Sequence, residues 1–201
     1  MALYLTTILV AMIIIAVTNY FVATPIFGFD LPYIILAVVI STVGVIVVDL
    51  ILALIVRRFL PAKWFSVDKK GFLAGKKEMR FYEKLGVKRW KEKVPELGAL
   101  TGFRKNKIAN PGSVEYLERY IEEANFGIIV HLSNVIFGFL IIFFYPLKYF
   151  LCFGVPVAFV NAILSIMPLI ILRYNLPKLH SLYKYTKLKQ LKESKAREKD
   201  E

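Results

Sequence analysis

The chain has 201 residues, 57% of them hydrophobic, and a formal net charge of +12 from 27 Lys and Arg against 15 Asp and Glu; ordinary soluble domains are only about 45–50% apolar. A chain both this apolar and this basic must separate the two kinds of residue into blocks, which argues against a soluble globule and for a membrane protein. Its single cysteine, Cys152, excludes an intramolecular disulfide, and no Cys/His cluster offers a structural zinc site.

Residues 3–23 carry no charged side chain and match the roughly 20 residues that a helix needs to cross about 30 Å of hydrocarbon. No basic residue precedes the run and no small-x-small cleavage site follows it, so a retained span is expected rather than a cleaved leader. The second span is 31–56, interrupted only by Asp49. A third is expected at 128–147 and a fourth at 150–172, the last with Pro156 and Pro168 inside it. Prolines are tolerated there because neighbouring helices satisfy the freed carbonyls. The fold class is thus an all-α integral membrane protein with four transmembrane helices and interfacial cytoplasmic helices between the second and third. Its parts are an N-terminal helical hairpin (1–60), a cytoplasmic or interfacial segment (61–127), a C-terminal hairpin (128–183) and a basic cytoplasmic tail (184–201).

Charge orients this arrangement. Residues 57–127 hold 17 of the 27 Lys and Arg, and the chain from Arg173 onward holds 9, so both blocks are expected on the cytoplasmic side. Four spans require the same answer by parity, placing both termini in the cytoplasm. The outer connections, 24–30 and the turn around Pro146 and Lys148, are too short to build a domain. A basic patch over a membrane core is what positive-inside bias and anionic lipid both produce, and no nucleic-acid motif is present, so nucleic acid is not an expected partner.

Two amphipathic stretches are expected in the cytoplasmic segment. In the first, Phe81, Tyr82 and Leu85 lead to a stop at Gly86, after which Val87, Trp90 and Val94 recur at spacings of three and four before Pro95. Lys84, Lys88, Arg89, Lys91 and Lys93 surround that stripe, the pattern of an interfacial helix with its Trp at headgroup level. The second starts at an N-cap Ser113, runs through Val114, Leu117, Ile121 and Ala124, and passes into the third span. No phosphate loop, metal-ligating His pair or nucleophile elbow occurs, so no cofactor and no metal are expected.

Several polar residues lie at membrane depth. Asp49 stands eight residues before Arg57 and Ser165 eight before Arg173, on the order of 12 Å inside the cytoplasmic border at about 1.5 Å per residue. Asn134 reaches a similar depth, with His131 about one turn nearer the cytoplasm and Asn161 about one turn deeper. Ionisable groups at such depth are costly and usually functional, and His131 is a candidate partner for Asp49. The alternative is that these side chains only hydrogen-bond neighbouring helices, as Asn, Ser and His in membrane helices do.

Three blocks resemble the glycosyl-4,4'-diaponeurosporenoate acyltransferase family, which acts in staphyloxanthin-type carotenoid biosynthesis. Leu60-Pro61-Ala62-Lys63-Trp64-Phe65 is similar to that family's Pro-x-Lys-aromatic-Phe block. Phe81-Tyr82-Glu83-Lys84 with Val87-Lys88-Arg89-Trp90-Lys91 resembles its aromatic and basic helix. Arg173-Tyr174-Asn175-Leu176-Pro177-Lys178-Leu179 resembles its Arg-Tyr-Asn-x-Pro-Arg-Leu signature. Glu123 and His131 match two members of its polar pattern, while Phe126 and Ile128 stand where that pattern has Arg and a second Glu.

The resemblance implies a bacterial cell-membrane enzyme that esterifies a sugar hydroxyl of a lipid-linked glycoside with a fatty-acyl group. Its partners would be the acyl donor, the glycoside and membrane lipids. His131 would be the general base and Glu123 would orient it or grip the sugar. Arg173, Tyr174, Asn175 and Lys178, with Trp90, Asn134 and Asp49, would bind substrate, the first four at the donor's phosphate or thioester carbonyl. Read without the resemblance, Arg173 and Lys178 are positive-inside anchors, Tyr174 belongs to an aromatic belt, and Asn175 and Pro177 end the helix. A non-enzymatic membrane subunit, or a lipid-binding scaffold that recruits a cytoplasmic partner, is the alternative function.

Overall fold

A computed structural model describes residues 2–94, 108–146 and 149–200. The elements in chain order are α1 (Ala2–Val22), α2 (Thr24–Phe27), α3 (Leu31–Phe59), α4 (Lys76–Lys84), α5 (Val87–Trp90), α6 (Val114–Phe137), a 3₁₀ helix (Gly138–Phe144) and α7 (Gly154–Asp200). Short 3₁₀ turns occupy Ala62–Trp64 and Lys70–Phe72. There is no strand among the described residues. Four helical stretches are long and apolar enough to cross a membrane: Leu5–Val22, Leu31–Phe59, Val114–Phe144 and the helix containing the fourth expected span.

Local chemistry accounts for most of these boundaries. Gly28 closes α2 at φ 71°, and Gly86 separates α4 from α5 at φ 65°; both lie in the left-handed region that glycine enters without a Cβ penalty. Ser113 accepts a hydrogen bond from the Tyr116 N–H at 3.2 Å, satisfying one of the donors left over at the start of α6. The stop expected at Pro95 and the outer-turn residues 147 and 148 lie outside the described residues.

Two sequence expectations need correction. The third span is not one α-helix to its end, because its last seven residues, Gly138–Phe144, tighten into 3₁₀ geometry. Pro177 does not end the fourth helix, and neither does Asn175: α7 runs through both to Asp200. The reason is packing, since Leu172, Leu176, Leu179 and Tyr183 form a stripe at helical spacing whose burial against α6 requires the helix to continue. The tail from 184 is likewise part of α7, and it holds the loop before α6: Thr186 donates to the Pro111 carbonyl and the Gln190 amide to that of Gly112, each at 3.2 Å.

The described chain divides into two compact units. The first comprises Met1–Phe59 and Ile129–Pro168. Its interior is a thin apolar seam of Ile15, Ile34, Val38, Val45, Ile141, Phe153 and Val157, while Leu9, Ile13, Val43, Leu50, Leu54 and Phe143 are exposed. That is the surface of a bundle solvated by hydrocarbon. The second comprises Leu60–Ile128 and Leu169–Glu201. There Leu117, Ile121, Ala124 and Ile128 of α6 interlock with Leu176, Leu179 and Tyr183 of α7, and Phe65 is buried at 1% exposure, its carbonyl accepting a 2.7 Å bond from the Asn125 amide.

Candidate functional site

In the first unit, the polar residues expected at membrane depth are buried or half-buried. Asn134, Asn161 and Ser165 are buried, and His131 is half-buried one turn before Asn134 on α6. Asp49 pairs with Asn161, whose amide donates to its carboxyl at 3.1 Å. Gly138 makes room for this pair. A Cβ there would come within 2.5 Å of Asn161 Nδ2, so only the missing side chain lets the carboxamide reach Asp49.

In the second unit, α4, α5 and α7 build a denser arrangement. Arg173 on α7 grips Glu78 on α4 through two hydrogen bonds, Nε to Oε1 at 2.5 Å and an Nη to Oε2 at 2.7 Å. This is the two-point guanidinium–carboxylate geometry that fixes orientation as well as charge. Tyr82, one turn along α4, donates its hydroxyl to the same carboxylate. Arg173 holds the Glu78 carboxyl down at about 2 through these bonds and its charge. Burial, and then the Glu78 carboxylate, push the Tyr82 hydroxyl up to about 12. Both groups therefore keep a single protonation state across the physiological range.

Tyr174 follows Arg173 and points into a buried pocket with Tyr82 and Val87, flanked by Trp90 and Ile170. The Lys178 ammonium lies 4.5 Å from the centre of its ring and the Lys91 ammonium 5.7 Å from it. Lys91 Nζ also donates to Asn175 Oδ1 at 3.1 Å, and Lys178 Nζ to the Tyr174 hydroxyl at 3.5 Å. Trp90 is held by its indole N–H, which donates to the Leu85 carbonyl at 3.1 Å.

The structure thus gathers Arg173, Tyr174, Asn175, Lys178 and Trp90 in the second unit, together with Glu123 on the same unit's part of α6. It places His131, Asn134 and Asp49 in the first. Sequence reasoning missed Glu78, and it gave Lys91 no role beyond flanking the Trp90 stripe. The signal for Glu78 was local: a carboxylate in a basic stretch, one helical turn from Tyr82. Among the described residues, no group of three His, Cys, Asp or Glu side chains gathers in a way that would hold a metal.

Four helices are long and apolar enough to cross a membrane, the mark of a polytopic membrane protein, and within the second unit two ammonium groups stand beside the Tyr174 ring. The glycosyl-4,4'-diaponeurosporenoate acyltransferase family matches residues 61–185, and the chain belongs to that family. The matched stretch contains every candidate residue except Asp49. No curated protein and no solved structure matches the chain.

Proposed function

We propose that this protein is a membrane acyltransferase that esterifies a sugar hydroxyl of a lipid-linked, carotenoid-type glycoside with a fatty-acyl group. The observation that carries this reading is family membership over residues 61–185. Both substrates are amphiphiles, so anchoring their tails in lipid restricts the reacting heads to a thin layer and lowers the entropic cost of bringing them together. In the proposed chemistry His131 takes the proton from the sugar hydroxyl as its oxygen attacks the acyl carbonyl. The ester bond forms, the bond from acyl carbon to donor heteroatom breaks, and the proton passes to the leaving group. Glu123 grips the sugar. Tyr174, Asn175, Lys178 and Trp90 hold the donor end, with Arg173 anchoring the Tyr174 turn through Glu78. Asn134 and Asp49 complete the proposed substrate-binding set. In this reading the protein resides in the bacterial cell membrane, with both termini and the segment between the second and third spans cytoplasmic, which the concentration of Lys and Arg in those stretches supports.

The test is mass spectrometry of total lipid extracts from cells with the gene, without it, and with His131→Ala, in a host supplied with a carotenoid glycoside. A glycolipid that gains one fatty-acyl mass only with the intact gene is the expected result. A second reading is favoured by one observation. Where the family's polar pattern has Arg and Glu, Phe126 stacks on Phe65 at 3.7 Å between ring centres and Ile128 is buried. Three matching lipid profiles would select that reading, a non-enzymatic membrane subunit or lipid-binding scaffold that recruits a cytoplasmic partner.

A further inference from the structure

We infer that Lys91, Lys178 and Asn175 form a phosphate-binding site built on the ring of Tyr174. Two ammonium groups converge on one aromatic ring, at 5.7 Å and 4.5 Å from its centre. Among the described residues neither has a carboxylate partner. This sets them apart from Arg173, one residue before Tyr174, whose charge Glu78 neutralises and whose fork Glu78 occupies. Two like charges held beside one ring repel each other, and the ring's quadrupole offsets only part of that repulsion. An anion bound between them removes it.

The donor set selects the kind of anion. Lys91 spends one N–H on Asn175 Oδ1, which orients the carboxamide and leaves its NH₂ group as a donor beside the ammonium. Lys178, exposed and with its ammonium over the ring, adds further donors. These are point charges and single N–H groups from three side chains, a set that wraps a tetrahedral group with several acceptor oxygens. A planar carboxylate is matched better by a guanidinium fork, and the fork here is already taken. Tyr174 is buried in a cluster with Val87 and Tyr82, so its ring is held in place. The phosphate could belong to a lipid head group or to a soluble carrier. Assigning it to the acyl donor rests on the transferase reading; the site itself does not.

Binding is measured on the purified full chain in detergent, with Trp64→Phe as background so that Trp90, beside the site, reports alone. Coenzyme A is the soluble phosphate probe and phosphatidylglycerol in mixed micelles the head-group probe, with diacylglycerol micelles as the uncharged blank. A saturable change in Trp90 emission is expected with at least one probe; coenzyme A would identify a soluble source and phosphatidylglycerol alone a lipid head group. Lys91→Gln with Lys178→Gln should weaken it by roughly tenfold or more, as loss of charge-assisted bonds to phosphate does. Arg at both positions should restore it, which separates lost charge from lost folding, and Lys88→Gln, exposed on α5, should leave it unchanged. No saturable response to either probe, or a double Gln variant that binds like the parent, would overturn the proposal. No acyl transfer is measured, so this outcome and that of the lipid-profile test can fail independently.

Discussion

The two units of the molecule solve opposite solvent problems with the same kind of helix. In the first unit the aliphatic side chains are mostly outside and the polar ones inside: Leu9, Leu50 and Leu54 are exposed, while Asn19, Ser41, Asn134, Asn161 and Ser165 are buried. Each buried polar group for which a bond is resolved bonds its own helix or a neighbouring segment, as Asn19 does to the Ile15 and Cys152 carbonyls and Ser41 to the Ala37 carbonyl and the Tyr145 hydroxyl. In the second unit Leu117, Ile121, Leu176 and Leu179 are inside and the lysines outside. Hydrophobic burial drives the second unit, whereas lipid is as apolar as Leu and leaves packing and hydrogen bonds to hold the first.

One leucine in each unit turns that contrast into a measurement. Leu176→Ala removes a side chain that is 1% exposed, and should cost about 3 kcal/mol through lost burial and the cavity left behind. Leu50→Ala changes a side chain that is 61% exposed and should cost less than about 1 kcal/mol, since Leu is worth only a few tenths of a kcal/mol in a lipid-facing helix. Thermal unfolding of both variants in detergent checks this. Equal losses would mean that the exposed face of α3 is packed against another chain.

The Glu78–Arg173 pair gives the second-largest effect and a pH signature. Arg173→Ala leaves the half-buried Glu78 without its guanidinium and should cost about 2 kcal/mol, less than for a fully buried pair because both side chains touch solvent. The Glu78 carboxyl is held at about 2 against an ordinary value of 4.5. The folded state therefore binds its proton later than the unfolded chain does. The stabilisation is fully present above about pH 5 and is lost as the pH falls towards 2. In melts across that window, Glu78→Gln should be less stable than the parent at pH 7, and the gap should close on acidification. A gap constant with pH would show that the carboxylate charge contributes nothing.

How much of this was readable from the residues follows from the range of each interaction. Apolar runs without charge are local, so the expected spans 3–23 and 31–56 fall close to Ala2–Val22 and Leu31–Phe59. The second helix runs three residues further because Arg57 and Arg58 are good helix formers that suit a C-terminal turn. Gly86 and Ser113 act on their own neighbours, and both were legible. Pro177 was misread because its local preference is overridden by the buried stripe that includes Leu176 and Leu179. Arg173 and Glu78 lie 95 residues apart, and nothing local to either announces the other. Tyr174, Asn175 and Lys178 entered through a family signature, which names positions but not that Lys91 would share the ring.

The smallest effect concerns the polar interior of the first unit. Gly138 has no positive φ, since among the described residues the glycines at positive φ are Gly28 and Gly86, so Gly138→Ala tests space alone. The added methyl would sit 2.5 Å from Asn161 Nδ2, and the carboxamide can escape only by leaving Asp49. Overpacking of this kind costs about 1 kcal/mol or somewhat more, which Asn161→Ala should reproduce, since it too leaves the Asp49 carboxyl without its hydrogen bond. If the two substitutions act through the same bond, combining them should cost little more than either alone, because the alanine at 161 removes the group the methyl strikes. Additive losses in thermal melts would show that Gly138 is needed for the turn into 3₁₀ geometry, and that the Asp49–Asn161 contact is a consequence of that turn.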